Sequence, residues 1–246
     1  MSRHDSSSIL KLLVNYLAQP ASDFYLPSFL YKNSLDPWYP AEIQLPPLTI
    51  LGMAVDITLG KIVCRGLSNM RVKGTDDDPD VEISGDTATF HAEQPNTDPQ
   101  YHRPPDVPNQ VILTAQKVDV TLDSETMPPG SGTVTIQQIQ DISGTFTVDV
   151  DSSEDLNSVT VTFTAFSVNP SVDNQNIQVK LDFDTAFIDT INQIINEPDN
   201  LTTVIQKVND ALNQPDTLAA VSKAATSAAQ SALKNILQAN DSTAHG

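Results

Sequence analysis

The chain has little cysteine, little histidine and few basic residues, and no apolar run approaches the roughly 18 residues that a spanning helix needs. Its single cysteine, Cys64, excludes an intrachain disulfide and a cysteine-cluster metal centre. Cys64 stands in the apolar run Ile62-Val63-Cys64, which predicts a buried and unreactive thiol. Lys and Arg number 13 against 31 Asp and Glu, a net charge of −18. That balance argues against sequence-independent nucleic-acid binding, which requires cations to neutralise phosphate. It also disfavours electrostatic adsorption to anionic lipid, so membrane contact is expected to be peripheral at most. The early apolar run Ile9-Leu10-Lys11-Leu12-Leu13-Val14 is interrupted by Lys11 and Asn15, with no clear small-residue cleavage site after it. It does not read as a signal peptide. The cytoplasm is the default expectation, with a leaderless route or a removed leader as alternatives.

Catalytic motifs are missing as well. Neither HExxH, a P-loop nor GxGxxG occurs. Gly66-Leu67-Ser68-Asn69-Met70 begins like a nucleophile elbow, but Met70 stands where glycine is needed. Of the four histidines, His4 and His245 lie near the ends. His91 and His102 remain, with Glu93, Asp98 and Asp106 nearby. A solvated loop is the favoured reading over an acid-base or metal site. Asp76-Asp77-Asp78-Pro79-Asp80 and the stretch Asp149 to Asp155 carry oxygen ligands of the kind calcium prefers, without EF-hand spacing. They read as solvated hairpin ends. The expectation is a non-enzyme with no cofactor and no metal.

What is present is patterning. Residues 6–19 read as an N-terminal helix with Ile9, Leu12, Leu13, Tyr16 and Leu17 on one face, ended by Pro20. Residues 20–49 form a strap of prolines (Pro20, Pro27, Pro37, Pro40, Pro46, Pro47) and aromatics (Phe24, Tyr25, Phe29, Tyr31, Trp38, Tyr39), expected to be extended. Residues 50–184 change to a period of two. Val55, Ile57 and Leu59 alternate with polar residues, as do Val159, Val161 and Phe163, and Ile177, Val179 and Leu181. In the run from Val111 to Leu122 the apolar parity switches between Leu113 and Val118, which demands a bulge near Ala115 to Lys117. A second break falls at Ile139. Long strands with such breaks predict a strongly curved antiparallel sheet, dry on one face.

Residues 185–239 return to helical spacing. Phe187, Ile188, Ile191, Ile194 and Ile195 make one face, Leu201, Val204, Ile205, Val208 and Leu212 a second. Leu218, Val221, Ala225, Ala228, Ala232 and Leu233 make a third, rich in alanine that lets another element approach closely. Residues 240–246 read as a frayed polar tail. No internal linker stands out, so residues 1–246 are expected to form one domain. The fold class is α+β: a long, highly curved antiparallel sheet wrapped around C-terminal amphipathic helices, with a short N-terminal helix.

The stretch Asp56-Ile57-Thr58-Leu59-Gly60-Lys61-Ile62-Val63-Cys64-Arg65-Gly66-Leu67-Ser68-Asn69-Met70-Arg71-Val72 resembles an early hairpin of the tubular lipid-binding (TULIP) superfamily. That superfamily includes insect juvenile-hormone-binding and takeout proteins and the bactericidal permeability-increasing proteins. Some accessory proteins of clostridial neurotoxin gene clusters share the architecture. Gly66-Leu67-Ser68-Asn69 followed by Val72 is similar to their G-L-S-N-x-x-V strand. The resemblance implies a curved sheet around a long helix and a hydrophobic or lipid-like ligand; it transfers no catalytic residue.

The expected function is non-enzymatic binding of such a ligand in an apolar cavity between the sheet and the C-terminal helices. The expected volume is in the usual pocket range of about 300 to 1,000 Å³ or more. The candidate lining is Val55, Ile57, Phe146, Phe163, Phe183, Phe187 and Ile191, with Ala228 facing them from the last helix. The alternative is a structural or interaction subunit of the same fold with no small-molecule ligand, acting through a protein partner or a second copy of itself.

Overall fold

The structure, a computed structural model, describes residues 6–22, 24–50, 52–75, 78–94, 108, 110–136, 141–150, 158–169 and 176–243. The period-two segments build two antiparallel sheets. The first runs β1-β3-β7-β9-β12, from Ile43–Gln44, Met53–Arg65, Val111–Leu122, Gly130–Ile136 and Ile177–Asp182. Two short strands, β2 (Leu48–Ile50) and β8 (Glu125–Thr126), pair with β3 and β7. The second sheet runs β11-β10-β6-β4, from Val159–Asn169, Asp141–Val150, Thr87–Glu93 and Arg71–Val72, with β5 (Val81–Ser84) beside β6.

The parity switch in β7 lies where the alternation requires it. Val111, Leu113 and Ala115 face inward, then Val118 and Val120 do. The β7–β9 register shifts between Ala115 and Val118. The neighbouring strand β3 switches at the same level: Leu59 is opposite Val118 and Ile62 opposite Ala115, with Lys61 at φ 49 between them. Both strands thus bend together, so the kink crosses the sheet instead of breaking a pair. A further register shift between Thr145 and Phe146 sets β11 out of step after Phe163. The break expected at Ile139 lies outside the described residues.

The GLSN stretch is not the hairpin strand that its resemblance implies. Leu67–Asn69 forms a 3-10 turn that carries the chain from β3 in one sheet to β4 in the other. Gly66 makes this crossing possible: its φ is 97, and a Cβ there would come 2.1 Å from the carbonyl oxygen of Gln110.

Among the described residues, five helices flank the sheets: α1 (Ser6–Ala18), α2 (Leu26–Lys32), α3 (Ile188–Ile195), α4 (Pro198–Leu212) and α5 (Pro215–Thr243). Helix α1 packs on β10, β6 and β4 and buries Ile9, Leu10, Leu13, Val14 and Leu17. Helix α2 corrects the expectation that residues 20–49 are extended. Pro27 sits in its first turn, where proline is pre-set for a helix and its missing N–H is no loss. Helix α5 continues to Thr243, past the residue 239 at which helical spacing was expected to end, and residues 244–246 lie outside the described residues.

The C-terminal helices close the sheets by an unusual route. An edge strand leaves backbone N–H and C=O groups facing outward at every second residue. Here helix side chains bond to them. On β12, Asn196 accepts the N–H of Val179 (2.9 Å) and donates to its carbonyl (2.7 Å). Asn192 does the same for Leu181 (2.7 and 2.9 Å). On β11, Asn209 serves Val168 and Asn213 serves Phe166 in the same two-way manner. Thr226 serves Val161, Ser222 accepts from the Phe163 N–H, and Gln230 donates to the Val159 carbonyl. Four residues of helix rise about 6.0 Å, and two residues of strand about 6.6 to 6.8 Å. A stripe at every fourth helical position therefore matches alternate strand residues. The buried Ala225 and Ala229 keep α5 close enough for these bonds.

Candidate ligand-binding site

Among the described residues, Asp36 stands out as a buried acidic side chain. It is a carboxylate only 5% exposed. Its Oδ2 accepts the Ser68 N–H (2.7 Å) and hydroxyl (2.6 Å), and both oxygens accept the Gly66 N–H (3.1 and 3.2 Å). A charge so far from water needs such donors. Two residues on, the backbone of Trp38 pairs with that of Cys64, N–H to carbonyl in both directions (2.9 and 2.8 Å). The strap is thus fastened to the end of β3 and to the crossing turn. Burial, with the Asp36 charge adding to it, pushes the Cys64 thiol well above its ordinary pKa.

Beside this junction lies an apolar cavity of about 80 Å³. The strap forms one wall with Leu26, Leu30, Leu35 and Trp38, and the crossing turn supplies Leu67 and Met70. The opposite wall comes from Phe90, Ala92, Ile142 and Phe166 of the second sheet. Leu212, Thr217 and Val221 close it where α4 meets α5. The Thr217 hydroxyl donates to the Ala211 carbonyl (3.4 Å), and no charged side chain is part of the lining. One water-sized group needs roughly 10–15 Å³, so the space holds on the order of five to eight methylene-sized groups.

This space is smaller than the expected volume of about 300 to 1,000 Å³ or more. Beside it, a run of phenylalanines fills the interior of the second sheet. Phe146 stacks on Phe163 (centroids 5.3 Å apart) and Phe163 on Phe166 (5.1 Å), while Phe90 meets Phe146 and Phe163 at 6.5 and 6.3 Å. The inward positions that alternation identifies are occupied by bulk.

The eight residues named from the sequence distribute as follows. Phe146 and Phe163 lie in this aromatic stack, one ring away from the cavity. Phe183, Phe187 and Ile191 line a second, smaller space of about 10 Å³, together with Ile50, Met53 and Val120. Val55 and Ile57 are fully buried within β3. Ala228 is half-buried on α5. None of the eight borders the larger cavity, whose strap residues Leu26, Leu30, Leu35 and Trp38 went unselected. Their signal was available: Leu26 and Leu30 have i,i+4 spacing on either side of a helix-starting proline, Pro27.

His91 is not in a solvated loop but in β6, half-buried on the second sheet. Its Nδ1 lies 3.0 Å from Asp141 Oδ1, which also accepts from Lys73 Nζ at 2.8 Å. Asn169 donates to the other oxygen at 3.4 Å. Partial burial works against ionisation of Asp141, but the bonds from Lys73, His91 and Asn169 outweigh it and hold its pKa below the ordinary value. His102, Asp98 and Asp106 lie outside the described residues, as do Asp76, Asp77 and most of the stretch Asp149 to Asp155. Among the described residues, no group of three or more His, Cys, Asp or Glu side chains is placed to hold a metal ion. No helix among them is long and apolar enough to cross a membrane.

No protein-family model matches the chain, and no curated protein sequence matches it. Among solved structures, it is similar to Takeout 1 of Epiphyas postvittana, at 12% sequence identity and a TM-score of 0.48, over 93% of this chain and 91% of that one.

Proposed function

We propose that the protein binds a hydrophobic or lipid-like small molecule, without catalysis, and that the ligand's apolar end occupies the cavity beneath the strap. The observation that carries this reading is the lining: twelve of its thirteen residues are apolar, and the hydroxyl of the thirteenth, Thr217, is engaged with the backbone. An apolar space of this kind gains little from water, which needs two to four polar partners to settle there. A hydrocarbon segment replaces that void with dispersion contacts. The resemblance of Asp56 to Val72 implies the same ligand class. The resting volume suits a short alkyl end, so a longer chain enters by displacing strap side chains such as Leu30 and Leu35.

The test is uptake of the neutral fluorophore N-phenyl-1-naphthylamine, read by its emission, in the parent and in Ala92→Phe. Ala92 borders the cavity and is 1% exposed. Filling the space should abolish or weaken uptake at least tenfold while the protein stays folded. Native mass spectrometry with organic extraction of the purified protein identifies any ligand retained. A parent that takes up no probe and yields no extractable ligand would leave the alternative, an interaction subunit without a small-molecule ligand.

A further inference from the structure

The cavity wall is held by a charge. Leu35 and Trp38 on the strap, and Leu67 and Met70 on the crossing turn, all border the space. Asp36 joins these two groups of wall residues by hydrogen bonds to the Gly66 N–H, the Ser68 N–H and the Ser68 hydroxyl. Ser68 is fully buried. Asp36 follows Leu35 directly, and Gly66 and Ser68 flank Leu67. Any movement of Asp36 relative to the turn therefore shifts the wall residues of the strap against those of the turn.

We propose that Asp36 is the positioning residue of the cavity, the group that fixes the strap against the crossing turn and so sets how readily a ligand enters. This rests on the binding reading above. The chemistry suits a joint that opens and closes. Separating two apolar surfaces forfeits their burial with nothing in return. A carboxylate released from its donors is taken up by water, and so are the freed N–H groups. The Trp38–Cys64 backbone pair is a second fastening two residues away and keeps the far side of the strap in register when Asp36 lets go.

The experiment uses the full chain and two variants. Ser68→Ala removes the 2.6 Å bond and leaves both backbone donors in place. Asp36→Asn keeps the size of the side chain and removes its charge. Hydrogen exchange is followed across the chain, and the association rate of N-phenyl-1-naphthylamine is measured by stopped flow. Exchange should rise at least tenfold in residues 26–38 together with 66–70, with β10 and β11 unchanged. The association rate should rise at least fivefold. Faster exchange confined to the Gly66 and Ser68 amides would overturn the proposal, as would an association rate within twofold of the parent in folded variants. If the parent takes up no probe and yields no extractable ligand, the binding reading fails by itself and the exchange pattern alone decides the role of Asp36. If Asp36→Asn does not fold, Ser68→Ala carries the test.

Discussion

Asn213 treats Phe166 as a neighbouring strand would. Its side-chain amide donates to the Phe166 carbonyl at 2.7 Å and accepts the Phe166 N–H at 2.8 Å. It also donates to the Asn209 carbonyl one helical turn back (2.8 Å), which fixes its rotamer. Asn213→Ala strips both bonds from β11 at once. The expected loss is about 2 kcal/mol, from two partly buried backbone groups left without partners. Asn213→Asp keeps an acceptor for the N–H but sets a carboxylate against a carbonyl, and should be at least as damaging. Urea unfolding of the two variants checks both statements.

Gly66→Ala tests the crossing between the sheets. The added Cβ would clash with the Gln110 carbonyl, and φ 97 is strained for alanine. A loss of about 3 kcal/mol or more is expected. Gly85 gives the contrast: its φ is also positive at 64, yet nothing lies within 4 Å of an added Cβ. Gly85→Ala should cost about 1 kcal/mol, from backbone strain alone. Equal losses in the two variants would mean that the Gln110 contact yields freely.

Cys64 should be inert in the folded protein. It is 1% exposed, and burial and Asp36 both oppose its thiolate. A disulfide reagent at pH 8 should modify it only as fast as the chain unfolds, and quickly in urea. Fast modification under native conditions would contradict the buried placement.

Asp141 links stability to acid. Its folded pKa lies below the ordinary carboxylate value, so its contribution is present above the unfolded pKa. That contribution fades as the pH falls through the folded value, because protonation breaks the bonds from Lys73 and His91. The stability difference between the parent and Asp141→Asn should therefore be largest near neutrality and shrink as the pH drops into the carboxylate range. Urea midpoints from pH 7 to pH 3 give the curve. The carboxylate is partly exposed, so added salt should narrow the difference.

Alternation along the chain was enough to locate the long strands and the bend at Ala115 to Lys117, because a side chain on a strand has only two directions to point. It could not tell that β3 and β4 belong to different sheets. That division depends on the conformation of Gly66 and on what the turn touches, Asp36 from thirty residues earlier. The ligand site was less legible for a related reason. Inward-facing Phe146 and Phe163 share the same period whether they border a void or each other, and here they stack. The strap was set apart by its prolines, yet its Leu26 and Leu30 are wall residues. The amide stripe was open to view: Asn192 and Asn196, Asn209 and Asn213, then Ser222, Thr226 and Gln230 recur at intervals of four. Helical periodicity was read there for apolar residues alone, so the polar stripe beside them was given no role.

The stripe on α4 and α5 works like a vernier, two scales of slightly different division laid side by side. Each step loses about 0.7 Å of helix against strand, the difference between a 6.0 Å and a 6.7 Å rise. Marks that coincide at one point drift apart within a few steps. Along α5 the short hydroxyls of Ser222 and Thr226 span the gap first, and the longer amide of Gln230 spans it at the next step. Before Ser222 the scale is reset: the helix breaks between Leu212 and Pro215, and the strand slips one residue at its bulge after Phe163. A rod of fixed pitch can follow a ribbon of another pitch only in short lengths, and the break between α4 and α5 sets where one length ends and the next begins.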